Sequence, residues 1–251
     1  MSFLVPPTHP SSLVRLLEEA FRERGVDLAR VGAAWARAAP TVTIVPAFGL
    51  RALPTAARAV LGIALAAAVF PALPPSSFAG PLWVGLMTEV LRGLPVAIAA
   101  AVPLWAATMA GGVVDALRGS SDPRPVPTVE GDATPLGIAY SLLACSMFFA
   151  TGGPARITSA LAADVSLQHA ALRASLDLTN GITIAVALAA PLLAASVVIE
   201  VAGALIARAA TPAQLHLVLA PVRALALLAV LGLVVPKTSE YLAAVVAHAL
   251  P

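Results

Sequence analysis

Long apolar runs, separated by short joints rich in proline, glycine and arginine, make up most of the chain. Residues 11–24, SSLVRLLEEAFRER, place Leu13, Leu16, Leu17, Ala20 and Phe21 at helical spacing, with Ser11 or Ser12 as cap and Gly25 as stop. This predicts a short amphipathic helix. Glu18, Glu19 and Glu23 dilute its basic face, which favours a packing or capping helix over a membrane-surface anchor. Residues 26–48 are apolar again but interrupted by Arg30, Arg37, Pro40 and Pro46. After the link GLRALPTAAR, residues 59–70 form a compact apolar stretch closed by PALPP at 71–75. These two segments predict a helical hairpin with Arg51 and Arg58 near its turn.

The next run, residues 81–117, is the one around which the rest is organised. As one straight helix it would be about 55 Å long at 1.5 Å per residue, whereas the hydrocarbon core of a bilayer is about 30 Å thick. Pro95 and Pro103 lie inside it, and each removes a backbone donor and crowds the preceding turn, so the rod is expected to bend or break there. It ends in a polar, proline-rich run, RGSSDPRPVPTVEGDATP. Residues 136–150 predict another apolar helix, short for a span, stopped by Gly152, Gly153 and Pro154. Residues 155–177 carry Arg156, Asp164, His169, Arg173 and Asp177 and read as an amphipathic helix or pair of turns outside the hydrocarbon. A second overlong apolar helix is expected over 182–206, with Pro191 and Glu200 inside it. The chain returns over 215–235, past Pro221 and Arg223, and closes after Lys237 with a last helix at 241–250.

Composition turns this pattern into a class. Hydrophobic residues are 59% of the chain and charged residues 11%, with a mean hydropathy of +0.92, whereas soluble domains are about 25% charged. The fold class expected is all-α, a polytopic membrane-type protein of kinked helical hairpins. The 251 residues allow a single domain of about six to eight helices. A net charge of only +2 excludes a nucleic-acid-binding surface. The one cysteine, Cys145, lies in an apolar run and reads as a packing residue. The four histidines are scattered, so no metal site is expected, and no cofactor-binding motif is present. The N-terminus lacks a basic region followed by an apolar one, so no cleavable signal peptide is expected. Arginines spread over nearly every connection leave topology open, while abundant alanine and glycine with 5% aromatic residues suit helices that face other helices more than lipid.

Charges inside the apolar runs are the candidate functional residues. A central Arg or Glu costs about 2.5 to 3.5 kcal/mol on an insertion scale. The eight Leu, Val and Ile residues of 81–99 return roughly 2.4 to 4.8 kcal/mol, which does not offset Glu89 and Arg92 together. This helix would insert poorly alone. Glu89 and Arg92 stand three residues apart and can pair, as can Asp115 and Arg118; Glu200 has no local partner of opposite sign. Glu89, Asp115 and Glu200 could form a proton or ion relay, but pairing across helices or subunits is the favoured reading. No nucleophile with a nearby base and no phosphate-cradling loop is present, so no enzyme is expected.

Five segments in order resemble the type III secretion export-gate family called FliR in flagella and SctT in injectisomes. They are residues 39–74, with Pro40 before the turn and the Arg51, Pro54 link; EVLRG at 89–93; AGGVVDALRG at 110–119 followed by Asp122 and Pro123; FFATGGP at 148–154; and AAPLLAASVVIEVAGALIARAATPAQL at 189–215. Arg223 and Ala97 stand where lysine and glycine are usual in that family. Asp115 with Arg118 and Gly119 is closer to the injectisome branch. The resemblance implies a non-enzymatic core component of the protein-export channel in the bacterial inner membrane, with an N-terminal P-type-like half at 26–150 and a C-terminal Q-type-like half at 155–251. It implies P-type and Q-type small gate subunits (SctR- and SctS-like), an SctU-like switch protein and the large export-gate protein as partners, with secreted proteins in transit. By position, Gly119, Ser120, Ser121, Asp122, Pro123, Arg124, Pro125, Val126 and Pro127 would form the loop that plugs the pore. Glu89, Arg92, Gly93, Asp115, Arg118, Glu200, Arg208 and Arg223 would be buried charges and packing positions. The reading that competes with it is a small ion-coupled secondary transporter, since residues 81–117 and 182–206 are both overlong, proline-broken and acid-bearing.

Overall fold

Asp27 starts the first described helix: its carboxylate accepts the Arg30 amide at 3.0 Å, an N-cap that satisfies one of the orphan donors of the first turn. The computed structural model describes residues 23, 27–48, 54–73, 81–117, 124–125, 132–163, 167–209 and 215–249. The amphipathic helix expected at 11–24 lies outside them, Glu23 excepted. The described helices are α1 (Leu28–Ile44), α2 (Thr55–Val69) with a 3-10 turn at Phe70–Ala72, α3 (Leu82–Leu117), α4 (Pro135–Ala150), α5 (Gly153–Ala162), α6 (Leu167–Ala209) and α7 (Leu215–His248). The only described strands are β1 (Arg124–Pro125) and β2 (Asp132–Ala133), a two-residue antiparallel ladder.

α1 and α2 form the expected hairpin. Arg30, which looked like a defect in an apolar run, closes it: its guanidinium donates to the carbonyls of Phe70 at 3.1 Å and Pro71 at 3.3 Å and lies 4.4 Å from the centre of the Phe70 ring. A cation is favourable there, at the carbonyl-bearing C-terminal end of the helix and its 3-10 turn, where the helix dipole is negative.

α3 is the central element, packed against α1, α4 and α6. Its buried side carries Gly85, Glu89, Gly93, Ala97, Ala101 and Leu104, a stripe at three- and four-residue spacing in which small side chains let neighbouring backbones approach closely. The expected break at Pro95 and Pro103 does not occur: one helix of 36 residues runs through both. Packing on three sides holds the segment in helical form where two lost hydrogen bonds would interrupt an isolated rod.

α4 and α5 make one bent element, turning through 66°. Gly152 supplies the bend with a left-handed backbone at φ 76°, a conformation other residues rarely adopt. Phe48, Phe148 and Phe149 meet edge to face beside it, with centroids 5.6 to 6.2 Å apart. Gly153 lies so close that an added Cβ would stand 2.3 Å from the Phe148 ring. Cys145 is buried in α4.

α6 and α7 form a long second hairpin. The amphipathic part expected at 155–177 divides between α5 and the first turns of α6. The separate helices expected at 215–235 and 241–250 are one helix through Pro221 and Pro236. Among the described residues four helices are long and apolar enough to cross a membrane, or five if the bent α4–α5 pair counts as one. The α3 window is 56% buried, those of α6 and α7 only 22% and 17%, so α3 is an internal helix and the second hairpin a peripheral one.

Candidate gate elements and buried charges

Arg37 was legible only as an interruption in α1, yet it is the main partner of Glu89. Its Nε and Nη2 both lie 2.6 Å from Glu89 Oε2, and its Nη1 donates to the Leu161 carbonyl of α5 at 3.0 Å. The two side chains are 6% and 8% exposed. Arg92 donates to the other carboxylate oxygen, Glu89 Oε1, at 2.9 Å, one turn along α3 as its spacing predicted. Arg92 itself is exposed. One carboxylate is thus shared by two guanidiniums and links α1, α3 and, through Arg37, α5.

Gly93 makes this geometry attainable. A Cβ at that position would be 2.0 Å from the Arg37 carbonyl oxygen, so α1 and α3 touch backbone to backbone one turn from the ion pair. The EVLRG segment is one unit: Glu89 pairs, Arg92 completes the carboxylate, and Gly93 admits the neighbour.

The far end of α3 holds the base of the polar loop. Asp115 is fully buried, and its Oδ2 accepts the Leu136 amide at 2.6 Å. Thr134 is the N-cap of α4 and accepts the Gly137 amide at 3.3 Å. Two side-chain oxygens therefore serve the first turn of α4, one negatively charged and so favoured by the helix dipole. One turn back on α3, a Cβ on Gly111 would lie 2.5 Å from the Leu136 carbonyl oxygen. Residues 111–115 and 134–137 are thus fastened together, and β1 and β2 pair Arg124 with Ala133 and Pro125 with Asp132 inside the loop. The expected Asp115–Arg118 pairing concerns Arg118, which lies outside the described residues with Gly119, Ser120, Ser121, Asp122, Pro123, Val126 and Pro127.

Glu200, which had no local partner in the sequence, is ion-paired to Arg223 of α7. The residues are 23 apart in the chain and meet because α6 and α7 pack antiparallel. The expectation of burial fails for this chain by itself: Glu200 is 51% and Arg223 37% exposed, and Arg208 is exposed at the end of α6. An ion pair this open contributes about 1 kcal/mol or less to folding in water.

A family model described as "Bacterial export proteins, family 1" matches residues 28–249. The secretion system apparatus protein SsaT of Salmonella typhimurium is 40% identical over 73 residues, 28% of this chain and 28% of its own length. This aligned stretch covers only part of either protein, whereas the family match runs from the first turn of α1 to the end of α7. Joined to membrane-length helices in the described residues, that match makes the chain a member of the FliR/SctT family of bacterial export proteins, a protein of the inner membrane.

Proposed function

We propose that the chain forms part of the protein-conducting channel of the export gate and that residues 119–127 help to close it. The observation carrying this reading is the fastening of Asp115 to Leu136 at 2.6 Å, with the backbone contact at Gly111 beside it. A polar loop held at both ends by buried contacts can present its middle across an opening without its stems drifting apart.

The same reading accounts for the charges left uncovered. Glu200, Arg208 and Arg223 sit on a hairpin that exposes Val197 (59%), Val198 (68%), Leu205 (62%) and Leu225 (66%). In the assembly the P-type and Q-type small subunits would cover this face, with the switch protein and the large export-gate protein completing the complex, in the manner of the injectisome branch. The N-terminal half at 26–150 would act as a P-type-like arm and residues 155–251 as a Q-type-like one. Glu89 and Glu200, the acids an ion-coupled transporter would use, are both engaged by arginine, which supports packing over a relay.

Deleting Ser120 to Arg124 tests the closure. It removes the centre of the loop and the Arg124 end of its ladder, while Asp115 and Leu136 remain. The complex is expected to assemble normally and to conduct ions through a membrane that is tight with the intact chain. Assembly with no added ion leakage would refute the plug role.

A further inference from the structure

We propose that the cleft between α1, α3 and α5 on one side and α6 and α7 on the other receives a carboxylate side chain from a helix of a neighbouring gate subunit. This rests on the reading above that such subunits cover the second hairpin. The cleft is about 400 Å³ and runs into a second of about 320 Å³ that shares Ala99, Asp177, Asn180 and His248 with it. Its polar wall is Arg37, Arg92, Arg173, Asp177, Asn180 and His248.

Charge is the first reason. Arg37 and Arg92 share the single carboxylate of Glu89, and Asp177, one turn after Arg173, feels the charge of that guanidinium. Among the described residues three guanidiniums therefore face two carboxylates, and one positive charge is left over in a concave, partly shielded site. Arg37 is held by Glu89 and the Leu161 carbonyl. Arg92 and Arg173 are exposed, so both can turn donors toward an incoming carboxylate, whose two oxygens match the guanidinium fork.

Continuity is the second reason. Leu172, Leu176, Val186, Val197, Val201 and Leu205 of α6 are each 55% to 62% exposed. At 3.6 residues per turn they fall within about 100° of one another around the helix axis, one apolar stripe along about 50 Å of α6. The stripe includes Val197 and Leu205, which the small subunits would cover, and its other end reaches Leu176, a wall residue of the cleft. A helix that lies along the stripe therefore arrives at Arg92 and Arg173 with one end. An apolar centre flanked by an arginine-bearing polar pocket is the usual make-up of a specific interface. The occupant this surface fits is a helix with an apolar face and an Asp or Glu at the level of the cleft.

The test puts a photo-cross-linking side chain in place of Leu176 or Val201 in the full chain, co-expressed in bacterial membranes with the neighbouring small membrane proteins, and identifies what is captured by mass spectrometry. Both positions are expected to capture the same neighbouring subunit, and the peptide captured at Leu176 to contain an Asp or Glu. Arg173→Glu is expected to lower capture at Leu176 at least about tenfold, because a carboxylate facing a carboxylate across an interface is strongly disfavoured. Capture at Val201 in the same variant is expected to stay within about twofold, which separates loss of this contact from loss of the complex. Asp177→Asn removes a competing carboxylate and is expected to raise capture at Leu176, a gain that a damaged fold would not produce. Capture at Val201 without capture at Leu176 would overturn the proposal and leave the covered hairpin standing; capture at neither would overturn both. Unchanged capture at Leu176 in Arg173→Glu would also overturn the proposal. So would a captured peptide with no acidic residue, or capture at Leu176 of lipid or of residues 1–26 of this chain.

Discussion

Glu89→Ala is expected to destabilise the chain by about 3 to 5 kcal/mol, the usual cost of removing one partner from a buried ion pair. The loss would come less from the attraction given up than from what remains: Arg37, 6% exposed, would keep only its bond to the Leu161 carbonyl. Denaturant unfolding in detergent, or the yield of folded protein, reads the effect. A double substitution separates the ion pair from simple loss of bulk. Arg37→Met with Glu89→Leu removes both charges and keeps volume, and should recover most of the stability, since apolar replacements of similar size are often neutral or better. A loss below about 1 kcal/mol for Glu89→Ala, the range of exposed pairs, would mean that Arg37 reaches water and that the α1–α3–α5 junction is looser than described.

Gly93→Val should be as damaging by a different route. The first atom added already falls 2.0 Å from a main-chain oxygen of α1, and a backbone carbonyl cannot swing aside as a side chain does. Overfilling a packed contact usually costs about 1 to 3 kcal/mol and occasionally more; here the separated helices would also lose the Arg37–Glu89 bond, which favours the upper end. Gly93→Ala should show the same defect in weaker form. Gly232→Ala is the control, because nothing lies within 4 Å of a Cβ added there. In the interior of α7 that change should stabilise the helix by about 1 kcal/mol. Equal behaviour of the two alanine variants in unfolding experiments would contradict the close approach at Gly93.

These two positions also mark what the sequence reveals and what it does not. Local signals were readable. The run closed by PALPP is α2, Thr134 and Pro135 open α4 as a cap and first-turn proline should, and FFATGGP spells out a helix end, a left-handed glycine and a ring packed on the next glycine. Gly93 was legible as part of EVLRG, though not which backbone it admits. Partners across the fold were not readable from spacing. Arg37 and Glu89 are 52 residues apart and Glu200 and Arg223 are 23 apart, so helical periodicity, which sees three or four residues, paired Glu89 only with Arg92 and left Glu200 alone.

Prolines misled in the opposite direction. At Pro95 and Pro103 the local cost of proline argued for a bend or break, and α3 continues through both as one helix; α7 likewise runs through Pro221 and Pro236. A lost hydrogen bond decides the shape of a helix only where nothing else holds it. α3 is gripped by α1, α4 and α6. Its length, which excluded an ordinary span, is the length of an internal strut with the loop fastening at one end and the Arg37–Glu89 pair toward the other. The polar run after α3 is visible in the sequence, whereas the contact at its stem, Asp115 accepting the Leu136 amide 21 residues away, is one that no local spacing reveals.

The central claim is that this chain works as one subunit of a heteromeric channel. Native mass spectrometry of the chain co-expressed with the neighbouring small membrane proteins of its secretion system, extracted in mild detergent, measures that directly. The account predicts a defined complex of fixed stoichiometry containing this chain and the small subunits. A stable, well-folded monomer that leaves those proteins behind would contradict it.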